Sequence, residues 1–445
     1  MTSSTETPDG RARLLDAAIA FGLRVTSAAL VFALQVFLAR VMQLEDYGSY
    51  VTMWTWLVML GAFAPLGFAE SAVRFVPRYR ARNRHGSAHA FWSFGLRTVL
   101  LASLAMAGTA AIIAAAGGLH QSRVGIIALL LAAGLPFLGI QNYLEGTSRA
   151  HGWFKLTSIP IYVARPLLIM AGCGAVLMSG YTLNLITVGS VVVAAMAMVT
   201  VFLLFTVTRS MRRAPQPESP QAVTGSRRVW FKASVPLMMV SGVEDLLIYS
   251  DVLLLGALLQ PDDVSIYFAA ARALALANFV YYAFYFVSAR GFSVVNALAD
   301  KQKLQETVWA TTRATFWFTA LAVVGTLLAG PWLLMAFGPA FEAGFPVMII
   351  LGIGLIARGA SGQAAELLIT TGRQRHILVA GLTALGFNIA LSLILIPLLG
   401  IVGAAWATAA AMAVRAVMLG VSVRRTSGIS VMSFGMPSLK LSASS

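Results

Sequence analysis

Charge and cysteine are what this chain has least of. Of its 445 residues only 11% are Asp, Glu, Lys or Arg, while 58% are hydrophobic. Soluble domains carry about a quarter charged residues, and a soluble chain this apolar would expose large aggregating patches. A water-soluble globular protein is thereby excluded. A single cysteine, Cys173, rules out an intrachain disulfide and a thiolate metal cluster. No glycine-rich loop ending in Lys-Ser or Lys-Thr is present, so direct ATP hydrolysis is not expected. No basic face with interleaved aromatics lies outside the apolar runs, so the net charge of +15 does not point to nucleic acid. No cofactor and no metal site are expected.

What the chain has is about twelve apolar stretches, each long enough to cross a bilayer of about 30 Å. They are read at 16–41, 50–73, 92–116, 122–145, 157–179, 183–208, 231–259, 264–289, 309–336, 344–368, 376–397 and 401–423. The polar residues Met1 to Arg13 precede them and are expected to be unstructured. The helix behind that tail is too long for a signal-peptide core and is expected to be retained.

The joints alternate in charge. Arg74, Arg78, Arg80, Arg82 and Arg84 follow the second span, and Arg149 and Lys155 the fourth. The central joint carries Arg209, Arg212, Arg213, Arg227, Arg228 and Lys232, and later joints of that parity carry Arg290, Lys301, Lys303, Arg373 and Arg375. With the two tails, one side holds 23 basic residues; the other holds Arg40 and Arg123. Lysine and arginine accumulate in cytoplasmic loops, so both termini are expected in the cytoplasm with an even number of crossings.

The segment 209–230 contains Pro215, Pro217 and Pro220 and reads as a cytoplasmic linker between an N-lobe at 16–208 and a C-lobe at 231–424. Tails at 1–15 and 425–445 complete the division. A short repeat supports two halves. Gln43, Glu45, Asp46 and Tyr50 follow the first span, and Gln260, Asp262, Asp263 and Tyr267 follow the seventh at the same spacing. Six crossings separate the copies, so they share one orientation. The expected fold is an all-α polytopic membrane protein, with two six-helix lobes in parallel repeat around a central cavity.

A charge at the bilayer centre costs at least about 2.5–3.5 kcal/mol, so each one inside a span needs a reason. Glu70 with Arg74, and Glu145 with Arg149, have the four-residue spacing of helix-face ion pairs. Arg97, Arg313 and Arg415 lie within snorkelling reach of the cytoplasmic surface. Arg24, Arg165, Arg272 and Arg358 have no opposite charge within one helical turn. Arg24, Ala28, Val31 and Gln35 share one helix face, a small polar stripe suited to a wet cavity. These arginines and Gln35 are the candidate substrate site, a cationic cavity for an anion. Asp251, Glu244, Asp245 and Glu366 are candidates for proton or sodium coupling, or for balancing the arginines. Aromatics at Phe279 to Phe286, and Trp54 with Trp56, suit packing and interfacial anchoring better than sugar stacking.

The stretch Leu38-Ala39-Arg40-Val41-Met42-Gln43-Leu44-Glu45-Asp46-Tyr47-Gly48, with Leu66-Gly67-Phe68-Ala69-Glu70-Ser71-Ala72-Val73-Arg74-Phe75 after it, resembles the start of polysaccharide-biosynthesis flippases (Wzx-type). These belong to the multidrug/oligosaccharidyl-lipid/polysaccharide exporter superfamily. Ser250-Asp251-Val252-Leu253-Leu254-Leu255-Gly256 resembles the opening of its second half. The resemblance implies a bacterial inner-membrane protein that moves an undecaprenyl-diphosphate-linked oligosaccharide to the periplasmic leaflet by alternating access. It implies membrane lipids, a polysaccharide polymerase and chain-length proteins as partners, and matches Arg24 and Arg272 to the diphosphate. Many relatives have fourteen spans rather than twelve.

Three other readings fit less well. A cation-coupled multidrug antiporter of the same superfamily would want an acidic, aromatic cavity. A major-facilitator transporter would carry Gly and Asp after the second span, where Arg78-Tyr79-Arg80-Ala81-Arg82 stands. A membrane polymerase or ligase needs a large outer loop, and the outer joints are short.

Overall fold

Lipid offers the backbone no hydrogen-bond partner, so a chain with this many apolar runs must close its bonds within helices. The computed structural model describes residues 10–116, 122–213, 226–278 and 301–431, without the side chains of 10–21, 23, 24, 226 and 301. Among the described residues there is no strand.

The helices are α1 (Gly10–Val41), α2 (Leu44–Phe63), α3 (Phe68–Ala81), α4 (His85–Ala116), α5 (Arg123–His151), α6 (Phe154–Ile159), α7 (Arg165–Met178) and α8 (Leu185–Arg213). They continue as α9 (Ser226–Leu258), α10 (Pro261–Leu274), α11 (Lys301–Leu328), α12 (Gly330–Phe337), α13 (Phe345–Ala360), α14 (Ala364–Thr370), α15 (Gln374–Leu399) and α16 (Ile401–Ser427). Eight stretches among the described residues are long and apolar enough to span a bilayer, and α11 with α12, bent by 56°, makes a ninth. The chain is an all-α, multi-pass membrane protein. Of the other expected spans, the first has a described apolar part of Val25–Val41. The seventh corresponds to α9, and the eighth runs from α10 into residues outside the description, which also hold the Phe279 to Phe286 aromatics.

The breaks follow local chemistry. Between α2 and α3 the backbone turns left-handed at Leu66 (φ 50°) and Gly67 (φ 77°), a region that costs an ordinary L residue about 1–2 kcal/mol. The second expected span is therefore two helices. Pro160 cannot donate to a preceding carbonyl, and the segment Pro160–Ala164 is wound as a π-helix between α6 and α7. Gly152 (φ 80°) stops α5: its N–H bonds the Arg149 carbonyl, and the Trp153 N–H reaches back to Ser148 at 2.8 Å.

The chain forms two compact units, residues 1–42 with 63–235, and residues 43–62 with 236–445. This differs from the expected lobes at 16–208 and 231–424 in two ways. Residues 209–230 are not wholly a linker: α8 continues to Arg213 and α9 starts at Ser226. Residues 43–62, in α2, belong with the second half, because the Ser265 hydroxyl of α10 donates to the Leu44 carbonyl at 2.6 Å and Gly48 lies directly against the Pro261 carbonyl.

In the first unit α5 is the hub, touching α3, α4 and α8. Its contacts rely on small residues, as lipid-embedded helices do when no hydrophobic force separates protein from solvent. A Cβ on Gly146 would stand 2.6 Å from the Ala69 carbonyl oxygen and 2.7 Å from its Cα. Backbone cannot retreat as a side-chain tip can. Gly146→Val is expected to destabilise this unit by about 1–3 kcal/mol. Thermal unfolding of the detergent-solubilised protein, followed by tryptophan fluorescence, should show the lower midpoint. At one end of the unit, Trp230 is fully buried among Phe91 and Phe94 and donates its indole N–H to Tyr79 at 2.7 Å. In the second unit α16 touches α10, α13, α14 and α15, and α11 lies along α13.

Candidate functional site

In the second unit, polar side chains from four helices meet inside the apolar bundle. Asp251 of α9 is buried, accepts from the Tyr267 hydroxyl of α10 at 2.6 Å and from the Val252 N–H at 2.7 Å. Beside it Ser250 donates to Asn388 of α15 at 3.0 Å, and the Asn388 amide reaches Thr408 of α16 at 3.3 Å. The Tyr267 hydroxyl lies close to Thr408. Carboxylate, amide and three hydroxyl oxygens are thus gathered in one buried cluster. Such a set can hold a proton on the carboxylate or replace water around a small cation, because oxygen donors suit hard cations. No group of three or more His, Cys, Asp or Glu able to hold a metal ion occurs among the described residues.

Arg272 stands eleven residues beyond Pro261 on α10, about 16 Å along the axis at 1.5 Å per residue. Its guanidinium lies 4.7 Å from the centre of the Phe268 ring, one turn earlier. Its Nε is buried and makes no hydrogen bond. Among the described residues it forms no ion pair; its charge nevertheless acts on Asp251 and on Tyr47. Asp251 and Arg272 are therefore close enough for their charges to interact.

The other candidates divide. Glu244, one face of α9 down from Asp251, is in an ion pair with Arg415 of α16. Arg415 was expected to snorkel to the surface; the acid on the adjoining helix holds it instead. The Glu244 side chain is 36% exposed and that of Arg415 19%, so water screens the pair. Glu244→Arg is expected to lower stability by about 1 kcal/mol, with recovery when Arg415→Glu is added. Melting midpoints of the two single variants and the exchange test this. Asp245 is half-buried on the same helix. Arg358 ends α13 half-buried, and Glu366 is buried in α14. Arg313 lies 6.0 Å from the centre of the Trp309 ring.

In the first unit Arg165 opens α7 directly after the π-helical turn. It donates to the Gln141 side-chain oxygen of α5 at 2.9 Å. Gln141 is fully buried, and its amide donates to the Met196 carbonyl and to Thr200 on α8, both at 2.9 Å. Its orientation is therefore set, and with it the oxygen offered to Arg165. One turn along α5, Glu145 accepts the Tyr162 hydroxyl on both carboxylate oxygens at 3.0 Å. The expected pair Glu145–Arg149 does not form, and neither does Glu70–Arg74; Arg149 and Arg74 are exposed. Water solvates those guanidinium groups better than a helix-face partner could. Gln35 is buried on α1. The side chain of Arg24 lies outside the described residues.

Attention to formal charge missed half of these residues. Gln141, Tyr162, Thr200, Asn388 and Thr408 are neutral, and each interrupts an apolar run without breaking the hydropathy of its span. A search for any strong hydrogen-bonding side chain in a span would have found them.

Residues 16–290 match the polysaccharide biosynthesis protein family. The chain belongs to that family. This polysaccharide biosynthesis protein shares its fold with exporters of known structure. It superposes on the inward-facing conformation of a multidrug resistance MATE family transporter of the MOP superfamily with a TM-score of 0.73, at 12% identity, over 90% of this chain and 94% of the other. The lipid II flippase MurJ, in an inward closed conformation, gives 0.69 at 16% identity, over 91% and 87%. No curated protein matches the chain.

Proposed function

We propose that this polysaccharide biosynthesis protein is a flippase. It carries an undecaprenyl-diphosphate-linked oligosaccharide from the cytoplasmic to the periplasmic leaflet of the bacterial inner membrane, by alternating access, with both termini cytoplasmic. The observation that supports this most is Arg272: an arginine within an expected span that forms no ion pair among the described residues and whose buried Nε makes no hydrogen bond. A diphosphate must shed water to cross about 30 Å of hydrocarbon. A planar guanidinium fork replaces that water with paired charge-assisted bonds to phosphate oxygens. Arg165, held by Gln141 in the first unit, is a further candidate for the phosphates, as are Arg24, Arg358 and Gln35.

The substrate leaves as it entered, so no bond is made or broken and no catalytic residue is assigned. Asp251 is the coupling residue in this reading. Its oxygen cluster takes a proton or a sodium ion, and its nearness to Arg272 links that occupancy to the anion. Glu244, with Asp245 and Glu366, balances charge. The flipped product then passes to a polysaccharide polymerase and chain-length proteins.

The MATE-like fold favours a second reading, a cation-coupled drug antiporter. An unpaired arginine beside the acid repels a cationic drug, which argues against it. The purified protein in liposomes decides between them. A fluorescent undecaprenyl-diphosphate oligosaccharide should become accessible to a membrane-impermeant quencher on the far leaflet. Ethidium uptake with no flipping would overturn the proposal.

A further inference from the structure

The first unit contains a cavity of about 290 Å³ outside the polar clusters above, small for a ligand site but open to one headgroup. It lies between α4 and the start of α9. Its lining includes Phe94, Arg97, Leu101 and Arg227, with the hydroxyls of Ser93 and Thr98. No acid lines it. Both arginines are exposed, and among the described residues neither forms an ion pair. Arg227 is held over Phe94, 5.6 Å from the ring centre. Two like charges directed at one small cavity repel each other unless an anion comes between them.

The surroundings say which kind of anion. Ser93 and Thr98 spend their protons on the Ala90 and Phe94 carbonyls, at 3.2 and 2.9 Å, so the arginines must do the recognising. Arg97, Leu101 and Leu104 follow four-three spacing on one face of α4. Leu101 and Leu104 are 69% and 49% exposed, and they continue along α4 beyond Arg97. A cation beside an open leucine stripe matches a molecule with a phosphate at one end and an acyl chain at the other. Free phosphate would use the arginines and leave the stripe bare.

We propose that this cavity binds the phosphate of an anionic phospholipid, with one acyl chain along Leu101 and Leu104. The site is independent of the flipping reaction. Basic residues near an anionic membrane surface contribute about 1 kcal/mol each, which is about fivefold in affinity.

The test uses the full-length protein in detergent and native mass spectrometry, titrated with phosphatidylglycerol, phosphatidylcholine or inorganic phosphate. Wild type should retain one tightly held phosphatidylglycerol in preference to phosphatidylcholine, and millimolar phosphate should not displace it. Arg97→Gln with Arg227→Gln should weaken retention about 25-fold. Leu101→Trp, which fills the cavity and keeps the charge, should weaken it as well. Arg78→Gln with Arg82→Gln removes equal charge from the exposed end of α3 and should leave it unchanged. Equal loss in that control would show general charge attraction and overturn the proposal. Displacement by phosphate, or retention unaffected by Leu101→Trp, would overturn it too. Each variant is compared at matched monodispersity, so an unfolded protein is not read as a lost site.

Discussion

Arg272→Ala is expected to abolish flipping while leaving the protein folded and at normal abundance. Among the described residues the side chain makes no ion pair that its loss would strand, and its buried Nε makes no hydrogen bond. What its removal takes from the protein is the electrostatic balance at Asp251, not a direct bond. The loss falls on the substrate. Hydrogen bonds between charged groups are worth about 1.5–3 kcal/mol each, so two bonds to a diphosphate correspond to at least about a hundredfold in transport rate at limiting substrate. Arg272→Lys keeps the charge and loses the fork, and an intermediate rate is expected. Liposome flipping rates and the lipid-linked intermediates accumulating in cells give the readout. Wild-type rates in Arg272→Ala at normal protein level would remove Arg272 from the substrate site and leave the flippase reading without its main support.

The second large effect separates driving force from passage. Asp251→Asn keeps the shape of the side chain, but an amide has one acceptor oxygen where the carboxylate has two. It cannot accept from both the Tyr267 hydroxyl and the Val252 N–H through separate oxygens, as Asp251 does. It also cannot bind a proton or neutralise a cation. One elementary charge moved across 100 mV is worth about 2.3 kcal/mol, a factor of about 50 in accumulation. Asp251→Asn is expected to lose that factor while downhill flipping continues. Tyr267→Phe, which keeps the carboxylate and removes one donor, should lose much less. Flipping is measured in liposomes with an imposed proton gradient, a sodium gradient or neither. Unaltered gradient dependence in Asp251→Asn would exclude this carboxylate from coupling. The two substitutions thus fail differently: Arg272→Ala stops transport under all three conditions, whereas Asp251→Asn flips at the same rate with or without a gradient.

How much of this was legible beforehand varies from residue to residue. The apolar runs marked α4, α5, α8, α15 and α16 to within a few residues, because a helix in lipid must be apolar along its whole length and little else competes with that signal. Leu66 and Gly67 gave no warning that the second span is two helices, since Pro, Leu and Gly are all tolerated in membrane helices. The charged candidates were visible as charges but not as pairs. Arg415 and Glu244 are 171 residues apart in the chain. Nothing local distinguishes that acid from Asp251, which holds a tyrosine hydroxyl, or from Glu145, which holds another. The alternation of basic joints bears on orientation, a property of the insertion process and not of packing, and the orientation with both termini cytoplasmic is part of the proposal.

By itself the sequence determined the class and the supply of charge within the apolar runs, because hydropathy acts one segment at a time. Only the tertiary structure decided which charge is neutralised and which stands ready. Glu244 is paired with Arg415, Asp251 accepts the Tyr267 hydroxyl and the Val252 N–H, and among the described residues Arg272 forms no ion pair. Those outcomes depend on side chains brought together from helices far apart in the chain, and contact at a few ångströms is what fixes the free energy of a charge in lipid.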